Sequence, residues 1–216
     1  MPIKHKVKPG ESGERIAWAH GVEDFKAAWA SGDNAKLRKR RADPNILMPG
    51  DILVVPEVKV KPYVLATGKH HRIVVKIPQK ELRLRVLAHK DEPLANAKYR
   101  LTLDNVPQPR EGTTDGDGML KEKVRVHIPG GLLEIDGRRF RLRFNYVNPF
   151  PVESDESISG VSSRLANLGY ESGGASKPGS PALSSALALY QSDAEIDATG
   201  ELDSATKDQL EKDFGC

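Results

Sequence analysis

From Glu81 to Val86 the chain reads ELRLRV, and Leu82, Leu84 and Val86 share one side of a pleat while Glu81, Arg83 and Arg85 share the other. Strict alternation gathers apolar side chains on one face only if the backbone is extended, because successive strand residues point to opposite sides. The segments RIVVKI, KYRLTL, MLKEKVRVHI, GLLEI and RRFRLRFNYV read as further strands, divided by the turn-forming stretches DEPLANA, DNVPQPREGTTDGDG, PGG and DGR. Arg72 to about Phe150 is therefore expected to be antiparallel sheet with one wet face, most economically a small β-sandwich.

The period changes at both ends. Ile3, His5 and Val7 alternate with lysines in a first strand, Pro9-Gly10 turns the chain, and Ser12 offers an N-cap to a helix carrying Ile16, Ala17 and Ala19, with Gly21 placed to end it. Asp24 opens a second helix with Phe25, Ala28 and Trp29; ASGDN interrupts it, and AKLRKRRAD resumes helix. A turn at Pro49-Gly50 then leads into a strand over Ile52–Val55, closed by Pro56. Past the polar stretch PVESDESISG, helices are expected over Ile158, Val161, Leu165 and Leu168, over Pro181 to Gln191, and over Ser204 to Phe214. The expected fold is multidomain α+β: a βααβ unit over residues 1–58, a β-sandwich over 59–151 and a three-helix bundle over 152–216.

With 216 residues, 38% of them hydrophobic, the chain suffices for two or three small cores. Its 33 basic and 30 acidic side chains nearly cancel, so bulk charge names no nucleic-acid partner. The single cysteine, Cys216, allows neither an internal disulfide nor a thiolate metal cluster. No run of about 18 apolar residues suits a membrane span, and MPIKHKVKPGES lacks a signal-peptide core. The expectation is a cytoplasmic protein, or one exported by a route that reads no N-terminal signal.

KVKPGES, IAWAHGV and PNILMPGDILVVP together resemble a LysM domain, whose βααβ fold usually binds N-acetylglucosamine-containing glycans such as peptidoglycan or chitin. The resemblance implies a shallow groove between two loops, with Gly10, Glu11, Ser12, Asn45, Ile46 and Leu47 as glycan contacts. GDNAKLRKRRAD enlarges the usual second helix, and the extended form resembles LysM domains found with type VI secretion and other contractile injection systems. GVSSRLANLGY, ALSSALALYQ and IDATGELDSATKDQL resemble the peptidoglycan-binding domain of the three-helix type, which implies glycan contact near Leu168, Tyr170 and Tyr190. PLANAKYRLTLDN and EGTTDGDGML resemble a transthyretin-like or carboxypeptidase-regulatory-like sandwich, a structural connector.

Asp115-Gly116-Asp117-Gly118 lacks the third oxygen position, the bidentate glutamate and the flanking helices of a calcium loop, so it reads as a turn. Adjacent His70 and His71 cannot chelate one ion from a strand, and His5, His20, His89 and His127 are scattered singly. Lys36, Arg38, Lys39, Arg40 and Arg41 form either a solvated face or a patch for an acidic protein partner. Trp18 and Trp29 are either sugar-stacking platforms or core, and core is the commoner fate of a helical tryptophan. No nucleophile elbow or acid pair of distinctive spacing occurs, so a non-catalytic binder that needs no metal or cofactor is expected, with a structural adaptor for spike or effector proteins as the competing reading and a cell-wall hydrolase as the remote one.

Overall fold

The computed structural model describes residues 1–59, 62–88, 92–152, 158–174 and 177–215. His89 and Cys216, singled out above, lie outside the described residues.

Strand β1 (Ile3–Lys6) pairs antiparallel with β2 (Ile52–Val55) in the register Ile3↔Val55, and three short helices connect them. Helix α1 (Gly13–Ala19) starts where the Ser12 hydroxyl accepts from the Arg15 N–H and ends before Gly21, whose φ is +74°. The Asp24 carboxylate caps α2 (Phe25–Ala30) by accepting from the Ala27 N–H at 3.0 Å. A 3-10 turn (Gly32–Asn34) separates it from α3 (Ala35–Arg40). Ile16, Phe25, Leu37, Leu47, Leu53 and Val55 form the core of this unit, with Trp29 packed against it. Asn34 holds the unit together from inside. Its amide nitrogen donates to the Ala28 and Val54 carbonyls at 2.9 and 2.8 Å, and its amide oxygen accepts from the Val54 N–H at 2.8 Å. The side chain thus pairs with the edge of β2 as a neighbouring strand would, which leaves Val54 no orphan backbone group.

The middle contains two antiparallel sheets. Strand β3 (Gln79–Arg85) pairs with β6 (Met119–Arg125), and a four-stranded sheet runs in the order β5 (Arg110–Thr113), β4 (Lys98–Leu103), β7 (Gly130–Ile135), β8 (Arg138–Arg143). The inward residues of both sheets share one core, in which Leu101, Leu120 and Leu133 are buried and Leu82, Leu84 and Val86 pack at its side. The alternation of β3 is as expected, but two other expectations fail. RIVVKI forms no strand: 72–77 takes part in no ladder, and Ile73, Val74 and Val75 stand 74%, 68% and 70% exposed. REGT, expected as turn, is β5, because Arg110 to Thr113 completes the ladder beside β4. The TDGDG stretch is a turn in which the Asp115 carboxylate accepts from the Asp117 and Met119 N–H groups at 3.0 and 2.9 Å.

Helices α4 (Ser159–Asn167), α5 (Pro181–Asp193) and α6 (Ser204–Phe214) share a third core of Ile158, Val161, Leu165, Leu183, Leu187, Tyr190 and Leu210. Ser180 caps α5 ahead of Pro181, whose missing N–H costs nothing at that position. Asp203 caps α6 and Gly215 ends it at a φ of +87°. No helix among the described residues is long and apolar enough to cross a membrane.

Candidate functional site

In the C-terminal helices, α4 delivers Leu168 and Tyr170 to a half-buried position, and the Tyr170 hydroxyl donates to Asp193 at 2.9 Å. Tyr190 meets Tyr170 edge to face, with ring centroids 5.4 Å apart, but it belongs to the core at 3% exposure. Burial first, and then the Asp213 carboxylate that its hydroxyl engages at 2.8 Å, push its phenol well above the ordinary range. Of the three residues expected at this glycan site, Leu168 and Tyr170 therefore present surface, and Tyr190 supports Tyr170 from below.

Two buried polar residues outside the expected glycan contacts hold this region in shape. The Gln191 side chain is fully buried and donates to Thr199 Oγ1, the Glu201 carbonyl and Thr206 Oγ1 at 3.0, 2.9 and 2.7 Å, while its oxygen accepts from the Gly200 N–H at 2.8 Å. It fixes the turn between α5 and α6. Arg164, 1% exposed, donates to the Asn148 and Gly160 carbonyls at 2.8 and 2.9 Å and lies over the Phe150 ring at 4.2 Å. At Gly160 a Cβ would come within 2.4 Å of the Asn148 and Pro149 carbonyl oxygens, so only glycine lets α4 sit this close to the incoming chain. The visible signals were an arginine on an otherwise apolar stripe and a glutamine after a core tyrosine.

At the N-terminal unit the two expected loops do meet: the Gly13 N–H donates to the Pro44 carbonyl at 3.0 Å, and Asn45 Oδ1 accepts from the Glu14 N–H at 3.4 Å. Their residues are largely engaged. Ser12 is the α1 cap and 4% exposed, Leu47 is core, and Glu11 accepts from the Lys8 N–H at 2.9 Å and from His5 at 2.8 Å. Burial works to raise the Glu11 carboxyl, but these bonds outweigh it and hold it below the usual range. Gly10 lies under the Tyr146 ring; its φ of +79° and the 2.7 Å that a Cβ would leave to Tyr146 Cε2 both demand glycine. Asn45 and Ile46 face a cleft of about 390 Å³ shared with Lys80 and Phe144 of the middle sheets and Phe214 of α6. The loops therefore open toward the other two units.

The basic run divides. Lys36, Lys39 and Arg40 are exposed, Arg38 donates to the Ser31 carbonyl at 2.6 Å and to that of Trp29, and Arg41 is 2% exposed. The expectation of Arg41 on an open patch is corrected: its guanidinium pairs with both oxygens of Asp51, at 2.8 and 3.2 Å, as a buried bridge from α3 to the start of β2. Trp18 likewise is not in its own unit's core. It stacks on His127 of the middle sheets, centroids 5.0 Å apart and planes 22° apart.

Residues 154–210 match the family model described as "Putative peptidoglycan binding domain". The C-terminal helices are thus similar to a class of cell-wall-binding domain. No curated protein and no solved structure matches the chain.

Proposed function

We propose that this protein is a non-catalytic attachment protein that binds peptidoglycan through its C-terminal helices. The observation that carries the proposal is the family match over 154–210, laid on three helices that present Leu168 and Tyr170 beside Asp193. In this reading residues 152–216 are the wall-binding unit, 59–151 a transthyretin-like spacer, and 1–58 a LysM-like module. Two glycan-binding units on one spacer would gain avidity if both reached the same sacculus. The protein would act with a contractile, type VI-like injection apparatus and leave the cytoplasm through it.

A second reading is favoured at the N-terminal end, where Tyr146 covers Gly10 and the expected glycan loops turn inward. There the unit serves as a structural adaptor for a spike or effector protein, and the exposed Lys36, Lys39 and Arg40 suit an acidic partner.

Co-sedimentation of the intact chain with purified sacculi tests the C-terminal reading. Retention that Tyr170→Ala abolishes while the helical circular dichroism persists is the expected result; retention unchanged by Tyr170→Ala, or none at all, overturns the C-terminal reading. Soluble muropeptides should not appear during the incubation, and their release would overturn the non-catalytic assignment.

A further inference from the structure

The outer face of the β3–β6 ribbon carries a large excess of positive charge. Register places Glu81 opposite Lys123, Arg83 opposite Lys121, Gln79 opposite Arg125 and Arg85 opposite Met119. Residues directly opposite in an antiparallel pair share a face, and the alternation of both strands turns these side chains to solvent. Five cations and one carboxylate thus occupy a two-stranded surface, an excess larger than the net charge of +3 on the whole chain. Glu81 is already paired with Arg83 at 2.5 Å. Among the described residues, Lys121, Lys123 and Arg125 have no ion-pair partner.

Edge strands often carry lysine to prevent strand-to-strand association. That need does not account for the face, because it is met by charge of either sign and does not favour Arg83 directly opposite Lys121, a like-charge pairing that works against the ladder. The four-stranded sheet of the same domain shows the usual arrangement: Arg139 pairs with Glu134 at 3.0 Å, and Arg141 pairs with both oxygens of Asp104 at 2.8 and 2.7 Å. That face sets cations against carboxylates, with Arg100 opposite both Glu111 and Glu134, whereas the β3–β6 face has one carboxylate for five cations.

We propose that the β3–β6 face binds a linear phosphodiester polymer of the cell envelope, a chain of polyol phosphates. Same-face residues recur every two positions, about 7 Å along a strand. Two peptide residues are six backbone bonds, and a three-carbon polyol phosphate also repeats every six bonds, so extended chains of the two kinds bring charges into step. Single-stranded nucleic acid shares that repeat but is ordinarily held by aromatic platforms beneath its bases. The face offers only Gln79 and Met119 besides its charged residues. The envelope location rests on the peptidoglycan reading, but the contact itself does not, since its ligand needs neither amino sugar nor the C-terminal helices.

Fluorescence anisotropy of the intact chain with labelled poly(glycerol phosphate) tests it. Binding should weaken with salt on a log–log slope of about −3, at about −0.7 for each of four phosphates neutralised. Lys121→Glu with Lys123→Glu should lower affinity at least tenfold, with the milder Lys121→Gln, Lys123→Gln pair as the alternative if the reversal unfolds the ribbon. Lys98→Glu with Arg100→Glu, the same charge change on the other sheet, should alter it less than twofold. Equal losses in both variants, absence of binding at low salt, or tighter binding of oligo(dT) than of poly(glycerol phosphate) would each overturn the proposal.

Discussion

The indole of Trp18 stacks on the imidazole of His127, joining α1 to the loop after β6 at a centroid distance of 5.0 Å. The Glu14–Lys80 ion pair at 3.0 Å and Tyr146 over Gly10 tie the N-terminal unit to the middle of the chain as well. His127→Ala should loosen that junction, and limited proteolysis should then cut between residues 59 and 78 faster than in the wild type. An unchanged cleavage rate would show that the stack bears no part of the attachment.

The same histidine gives a pH dependence. Burial, with smaller contributions from Arg125 and Arg15, pushes the His127 imidazole below its ordinary value of 6.5, and its Nδ1 is buried without a partner. The unfolded chain therefore takes up the proton first as pH falls. The contribution to stability is complete above about pH 6.5 and is lost as pH falls through the lowered folded value. Thermal melts should show the wild type losing more Tm between pH 7 and pH 5 than His127→Phe does; equal losses would contradict the assignment.

Removing one partner of the Arg41–Asp51 bridge leaves a buried charge without compensation, and Asp51 also accepts from the Met48 N–H at 2.9 Å. Asp51→Ala should cost about 3–5 kcal/mol. Urea denaturation measures it, and a cost under 1 kcal/mol, the ordinary value of an exposed pair, would mean the bridge is hydrated in solution.

Gln191→Leu keeps the approximate volume but strands the Gly200 N–H inside the protein, while the Thr206 hydroxyl keeps the Asp203 carboxylate as its acceptor. At about 1–3 kcal/mol for an unsatisfied buried group, a loss of at least about 1 kcal/mol is expected. The α5–α6 turn should loosen with it, seen as faster amide exchange at Gly200 and Thr206.

Gly10→Ala places a methyl group against Tyr146 and forces a left-handed φ on a residue with a Cβ, a strain of about 1–3 kcal/mol. Tyr146→Ala in that background should recover the steric part only. By itself Tyr146→Ala uncovers the loop, and if the N-terminal unit binds glycan its retention on chitin beads should rise.

Much of the local structure could be read from the chain. Ser12, Asp24 and Asp203 cap their helices because short polar side chains reach the free N–H groups of a first turn, and Leu82, Leu84 and Val86 face the core because a strand alternates. These are rules of nearest neighbours. The helical end matched to peptidoglycan-binding domains was legible for the same reason, since its motif residues lie in continuous runs.

What the tertiary structure decided were pairings between distant positions. RIVVKI has the composition of a strand, but strand formation needs a partner edge, and among the described residues none pairs with it. Arg41 reads as one more cation in KLRKRR until Asp51, ten positions on, takes it into the interior. Trp18 points away from its own core because His127 offers its face, and Tyr190 lies beneath the surface it was expected to form. The sequence determined which segments become helix or strand, through interactions spanning a few residues. Which faces are buried and which charges remain unanswered depended on chain segments brought together only by folding.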